Sequence, residues 1–450
     1  MRDASARLAE RLPADRLLLD EESLRGHRHD RSGWEPAGLP SAVVVPRSTA
    51  EVRTVLEIAG ETGTPVVVRG AGTGLSGAAT ATDGELVLST AALNAITELS
   101  AADQLAVVQP GVVTAELDRA AGAHGLRYPP DPASVEISTV GGNIATNAGG
   151  LRCAKYGVTR DSVLGLEVVL ADGRVVRTGR RTVKGVTGYD LTGLFVGSEG
   201  TLGVVTSAVV RLRPAPEATA TIAAFFDTVE KAAAAAANLR VQPAIAELLD
   251  AAALEAVDAA QGTSFRARGN AFLLVQTDGH GAAAEAELVR ATLARYATDV
   301  EVTTDPAVAG ELLTARRLAL PSLEKQGRVL IEDIAVPRSR LAEAVAAITG
   351  ITRQHGVTAA TLAHAGDGNL HPIFVIDRGA AEIPGPVWAA AGEVFATALR
   401  LGGTLTGEHG VGILKRKWLG DELGPDTLAL QRSVKQLFDP QGILNPGKAI

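Results

Sequence analysis

Two histidines bracket the stretch His364-Ala-Gly-Asp-Gly-Asn-Leu-His371 in a chain with only eight histidines. A third, His409, follows Glu408 in Gly407-Glu-His-Gly410. Imidazoles and a carboxylate are a donor set for zinc or another borderline divalent metal. Gly366 and Gly368 oppose a helix, because glycine is costly inside one. A plain strand would send His364 and His371 to opposite faces, since they are an odd number of residues apart. The spacing therefore predicts a Gly-Asp-Gly turn that lets the two imidazoles converge, with Asp367 as a turn-former. The same residue types also serve as ordinary surface or core hydrogen-bonders, so the rest of the chain must decide.

At 450 residues the chain is too long for one typical core, and its 46% apolar content is ordinary for a globular protein. Aromatics supply only 3%, so Ala, Val and Leu must build the interior. The net charge is −8 and no Lys/Arg block stands out, which argues against a nucleic-acid partner. Cys153 is the only cysteine, which excludes an internal disulfide and a Cys-type zinc site. The first 20 residues carry Arg and Glu throughout, no run approaches a membrane span, and a cytoplasmic location is expected.

Residues 1–40 read as a helix followed by a charged loop in which His27 and His29 are solvated. A strand at Ala42–Val45 precedes a helix capped by Ser48 or Thr49. Pro65–Ala79 then contains Gly72-x-Gly74-x-x-Gly77 after an apolar strand, the outline of a dinucleotide fingerprint. That fingerprint needs a long helix next, whereas Asp83-Gly84 turns into a strand at Glu85–Ser89. A glycine loop between two strands can still wrap a pyrophosphate with exposed N–H groups. Ser138–Gly150 is a second stretch of small and polar residues that permits close backbone approach to something flat and polar. Pro214-Ala-Pro216 marks a boundary. Beyond it, three strand–helix–strand units (the last with a strand at Val329–Val336) predict an antiparallel sheet covered by helices.

Taken in order, Arg69–Gly77, Pro129–Gly150, Tyr156–Asp161, Gly197–Gly203, His364–His371, Gly407–Gly410 and Phe438–Lys448 resemble a known family. They are similar to the FAD-linked oxidases and dehydrogenases of the vanillyl-alcohol-oxidase (PCMH-type) fold. The likeness is nearest to the group of the glycolate oxidase catalytic subunit, D-lactate dehydrogenase and D-2-hydroxyglutarate dehydrogenase. It implies an α+β protein: a PCMH-type two-subdomain FAD-binding domain plus a ferredoxin-like cap domain, with substrate bound between them. The expected divisions are a helical lead-in over 1–38, the FAD domain over 39–214, the cap with the metal site over 215–420, and a segment returning to the FAD domain over 421–450.

The resemblance assigns FAD to the first glycine loop, through Arg69, Gly70, Gly72, Thr73, Gly74, Ser76 and Gly77. It also assigns Pro130, Asp131, Ser138, Thr139, Gly142, Asn143, Thr146, Asn147 and Gly149, with Gly203, Val205 and Asn445, to the cofactor. No His or Cys lies in the first glycine loop, so non-covalent FAD is expected. The resemblance further implies that His364, His371 and Glu408 ligate zinc or manganese and that His409 is the catalytic base. Arg316 would hold the substrate carboxylate, with Arg317 as its neighbour and rival. Asn369 either bonds the substrate or braces the turn. D-2-hydroxyglutarate enzymes carry a lysine where this chain has Ile331, which favours D-lactate, glycolate or a more apolar 2-hydroxy acid over a longer dicarboxylate.

A metal-dependent hydrolase using His364, His371 and Glu408, and a flavin subunit without turnover of its own, are the rival readings. The electron acceptor is left open among a quinone, a cytochrome, an electron-transfer flavoprotein and oxygen. There is room for a homodimer and for peripheral docking to a membrane.

Overall fold

The computed structural model describes residues 4–380 and 382–450. The chain divides into two compact units. One runs to Gly149 and adds Gly157–Ala215 and Glu408–Ile450; the other comprises Gly150–Tyr156 and Pro216–Gly407.

In the first unit a four-stranded sheet has the order Leu17–Leu18, Ala42–Val44, Leu86–Ser89, Val66–Arg69. The last three strands run parallel, with Val66 opposite Leu86. Parallel neighbours need a crossover, and here residues 70–85, the glycine loop, supply it without a helix. The helix Thr49–Thr62 is capped by Ser48, whose side chain accepts from Glu51 N, and ends at Gly63 with φ 68°. Its Val52, Val55, Leu56 and Ile58 are buried against Val44, Leu86 and Leu88. Each such large side chain contributes roughly 1.5–3 kcal/mol on leaving water.

An antiparallel five-stranded sheet follows, in the order Ile96–Ser100, Leu105–Val108, Val204–Arg211, Val163–Val169, Val175–Gly179. The chain's end rejoins this unit. Leu444 bridges Val66, Val66 N donates to Ile443 O (2.7 Å) and Asn445 N to Val66 O (2.8 Å). Lys448 Nζ is buried and donates to Thr80 O and Asn445 Oδ1, and burial lowers its pKa to about 8.

The second unit is built on an antiparallel sheet. Its order is Asp299–Thr303, Thr219–Phe226, Ala271–Asp278, Ile245–Asp250, Ala359–His364, Asn369–Ile376, Arg328–Ile331, and Ile334–Ala335 also pairs with Asn369–Ile376. Helices Val229–Ala237 and Ala282–Leu293 cover Thr219–Phe226 and Ala271–Asp278. One sheet face, with Phe225, Leu249, Phe272, Leu362 and Ile373, buries Leu254, Leu312, Ala319 and Leu323 of helices that cross it.

Two local expectations change, and a third segment takes a form the sequence left open. Residues 4–40 hold two helices, Ala4–Arg11 and Glu21–His27, with the strand Leu17–Leu18 between them. The strand expected over Val329–Val336 breaks at Glu332-Asp333, both buried. The second glycine-rich stretch contains a helix, Val140–Thr146, capped by Thr139. Glycine disfavours a helix locally, but a Cβ on Gly141 would lie 2.3 Å from Pro110 Cβ, so tertiary contact requires the small residue there.

Asp250 caps the helix Ala251–Gln261 and accepts from Ala253 N (2.9 Å) and Thr361 N (2.7 Å). Burial pushes its pKa up from 3.8 to about 6. The folded state therefore holds this proton more tightly than the unfolded chain does. The stability it contributes is full below pH 4 and is lost as pH rises through 6, about 3 kcal/mol at most. Urea unfolding midpoints should show that slope, and Asp250→Asn should flatten it; an unaltered slope in the variant would contradict the assignment.

Candidate functional site

The second unit holds His364, Asp367, Asn369, His371, Arg316 and Arg317 of the residues singled out from the sequence. Residues 365–368 form a turn between two paired strands, with Gly368 at φ 91°. A Cβ on Gly368 would meet Val336 O at 2.1 Å, and one on Gly366 would meet Ala154 Cβ at 2.7 Å, so both glycines are sterically required. The register sets His364 opposite Asn369 and Leu362 opposite His371. Both histidines thus share one sheet face as diagonal neighbours. Their rings lie 5.1 Å apart at 84°, and both side chains are buried.

On the adjoining strand stands Glu247, fully buried and opposite His364. Its Oε1 lies 2.6 Å from His364 Nδ1, and its Oε2 accepts from Arg316 Nε and Nη2 at 2.7 Å each. A carboxylate only accepts, so Nδ1 carries the hydrogen, and in the neutral ring Nε2 is then the nitrogen with the lone pair. In proteins where an imidazole binds a metal, a carboxylate partner of this kind orients the ring. Arg316 lies in the last turn of the helix Pro306–Arg317, started by the Asp305 cap and Pro306. Arg316 is buried and Arg317 is exposed.

A second buried carboxylate, Asp333, accepts from Asn369 Nδ2 (2.7 Å) and Thr406 Oγ1 (2.6 Å) and lies 3.8 Å from His371 Nδ1. Asn369 Nδ2 also donates to Ile334 O, and its backbone N–H donates to Asp367 Oδ1, the turn-forming contact expected of Asp367.

Glu408 and His409 fall in the first unit, immediately after Gly407, where the chain leaves the second. Their side chains lie 3.7 Å apart and are mostly buried. In the same unit, a Cβ on Gly70 would meet Thr139 Oγ1 at 2.6 Å, so the two glycine-rich stretches touch there. Gly72 and Gly77 have φ 70° and 84°. Among the described residues, none of the backbone N–H groups of residues 71–78 donates to another group of the chain. A run of uncommitted amides on a flexible-residue loop suits a pyrophosphate. Arg69, Ser76, Asp131, Ser138, Thr139, Asn143 and Asn445 are buried, and Thr73, Gly74, Thr146, Asn147 and Val205 are partly exposed. Pro130 and Gly149 are buried, and burial lowers the pKa of Arg69.

Several of these side chains bond within the protein. Asn143 Nδ2 donates to Thr114 Oγ1, which also meets Ser138 Oγ. Asn147 Oδ1 accepts from Arg160 N, and Thr146 Oγ1 donates to Gly142 O. Asn445 Nδ2 donates to Glu199 O and Ala78 O. Gly203 packs against Val168, where a Cβ would come within 2.5 Å.

Residues 40–179 match the family model for an FAD binding domain, and residues 215–449 match that of FAD linked oxidases, C-terminal domain. The glycolate oxidase subunit GlcD of Bacillus subtilis is 42% identical over 417 residues, covering 91% of this chain and 89% of the relative. A D-lactate dehydrogenase of Archaeoglobus fulgidus is 38% identical over 411 residues, covering 91% of each. In fold the chain is similar to p-cresol methylhydroxylase, with a TM-score of 0.82, 19% identity and coverage of 99% of this chain and 96% of that one. The chain belongs to the FAD-linked oxidases and dehydrogenases. It is a flavin oxidoreductase on the PCMH-type fold, which sets the hydrolase reading aside. No helix among the described residues is long and apolar enough to cross a membrane.

Sequence reasoning missed Glu247 and Asp333. Both had a signal: a lone acid between Ala246 and Leu248 of an apolar strand, and an acidic pair inside another. Glu247→Gln should leave the buried Arg316 without its charge partner and cost about 3–5 kcal/mol; a urea midpoint within error of the parent would contradict this. Gly70→Ala forces Thr139 away from the loop, so flavin bound per chain, read from absorbance after gel filtration, should fall several-fold. Full occupancy would mean that this contact does not shape the cofactor loop.

Proposed function

We propose that the protein oxidises a short D-2-hydroxy acid, of the D-lactate or glycolate type, to the 2-oxo acid. The observation that carries this reading is the buried Glu247, joined to His364 Nδ1 on one side and to Arg316 on the other. It orients an imidazole for a divalent metal and a guanidinium for a carboxylate, the two handles of a 2-hydroxy acid. The names of the glycolate oxidase and D-lactate dehydrogenase relatives support the same substrate class.

In this reading His364, His371 and Glu408 would hold zinc or manganese, whose charge would favour loss of the substrate's hydroxyl proton. The donor set of two imidazoles and a carboxylate suits either metal. His409 accepts the proton, and Arg316 holds the substrate carboxylate and so limits how the acid can lie. Non-covalently bound FAD would supply the hydride acceptor. Asn369, held by Asp333 through Nδ2, keeps its side-chain oxygen for the substrate or for bracing the turn.

Chain length is read at Ile331. It pairs with Ile373 and lies on the apolar cluster with Val329 and Val375. A distal carboxylate there would be desolvated without a cation. D-lactate or glycolate should therefore be turned over with a kcat/KM about 100-fold above that of D-2-hydroxyglutarate, measured with an artificial electron acceptor. Comparable values would favour the alternative, a dehydrogenase for D-2-hydroxyglutarate or another longer 2-hydroxy acid.

A further inference from the structure

Within the first unit the segment His409–Gly412 is gripped from two directions. Glu199 is buried, and its Oε1 accepts from Val411 N and its Oε2 from Gly412 N, both at 2.8 Å. Ser76, also buried, places Oγ 2.8 Å from Gly410 O and 3.1 Å from His409 O, and its own carbonyl accepts from Ile413 N (2.8 Å). Glu199 therefore satisfies two amides and Ser76 engages two carbonyls of the same short stretch. The fit is close. A Cβ on Gly410 (φ 82°) would come 3.0 Å from the Glu199 carboxyl, and one on Gly412 (φ 50°) 1.9 Å from Ser76 O. Glu199 itself adopts φ 50°, a backbone conformation uncommon for a side-chain-bearing residue and often met at functional sites. Asn445 Nδ2 secures that turn through Glu199 O (2.7 Å).

We infer that Glu199 and Ser76 are positioning residues that fix the backbone of His409, and so the aim of its imidazole. The inference rests on the proposed role of His409 as the base. It gives Ser76 a task other than binding the cofactor's pyrophosphate. It also explains why a carboxylate, and not a neutral acceptor, stands at 199: two N–H groups converge on two oxygens, a bidentate match that an amide side chain meets with only one.

The test pairs a readout of the loop with a readout of the chemistry. Hydrogen exchange at Val411 and Gly412 in the flavin-loaded protein should be at least tenfold faster in Glu199→Ala, with partial protection restored in Glu199→Gln. Ser76→Ala should loosen the same segment, and it decides the matter if Glu199→Ala fails to fold. Anaerobic flavin reduction by D-lactate should slow about 10- to 100-fold in these variants, with bound flavin retained. In a His409→Asn background the same changes should add no further slowing, because they act through a base already lost. Unchanged exchange in both Glu199→Ala and Ser76→Ala would overturn the inference, as would loosened loops with flavin reduced at the parent rate. Full additivity with His409→Asn would also overturn it, leaving a general structural role. A His409→Asn protein that reduces flavin at the parent rate would instead sink the base reading, and exchange alone would then judge the grip on the loop.

Discussion

One buried carboxylate organises the second unit. Glu247 has no exposure, and in a sheet interior an unpaired carboxylate would be very costly. Its two oxygens are divided between His364 Nδ1 and the Arg316 guanidinium, so the charge is met by a cation and an imidazole N–H. Both partners lose freedom in the bargain. The sheet register carries the imidazole to the carboxylate, and a crossing helix carries the guanidinium there. A rigid scaffold with few free rotamers is what a site needs if a metal and a substrate carboxylate are to be met without rearrangement.

The histidine hairpin was legible because its geometry is local. Gly366 and Gly368 exclude a helix, and the odd spacing of the histidines demands a turn if they are to act together. The structure supplies that turn, with Gly368 at φ 91°. The glycine loop after Val66–Arg69 was legible for a similar reason. The early turn at Asp83-Gly84 ruled out a long helix, and the loop indeed joins two strands. The wider architecture followed from the order of seven motifs, a likeness to known proteins that no single residue conveys.

What the sequence hid was decided by partners distant in the chain. Glu247 meets His364 across 117 residues and Arg316 across 69, and a strand rich in Ala, Ile and Leu gives no hint of either. The helix Val140–Thr146 runs against local propensity because Gly141 must fit beneath Pro110. The grip of Glu199 on Val411 and Gly412 spans more than 200 residues. A further readable signal was passed over: Asp305-Pro306, an N-cap followed by proline, announces the helix that delivers Arg316.

The most direct test of the account is the visible spectrum of the purified protein before and after anaerobic D-lactate, with and without prior chelation of divalent metal. Flavin bands should bleach in the untreated protein, persist after chelation, and bleach again once zinc or manganese is restored. Bands that bleach equally well in the metal-free protein would contradict the role given to His364, His371 and Glu408.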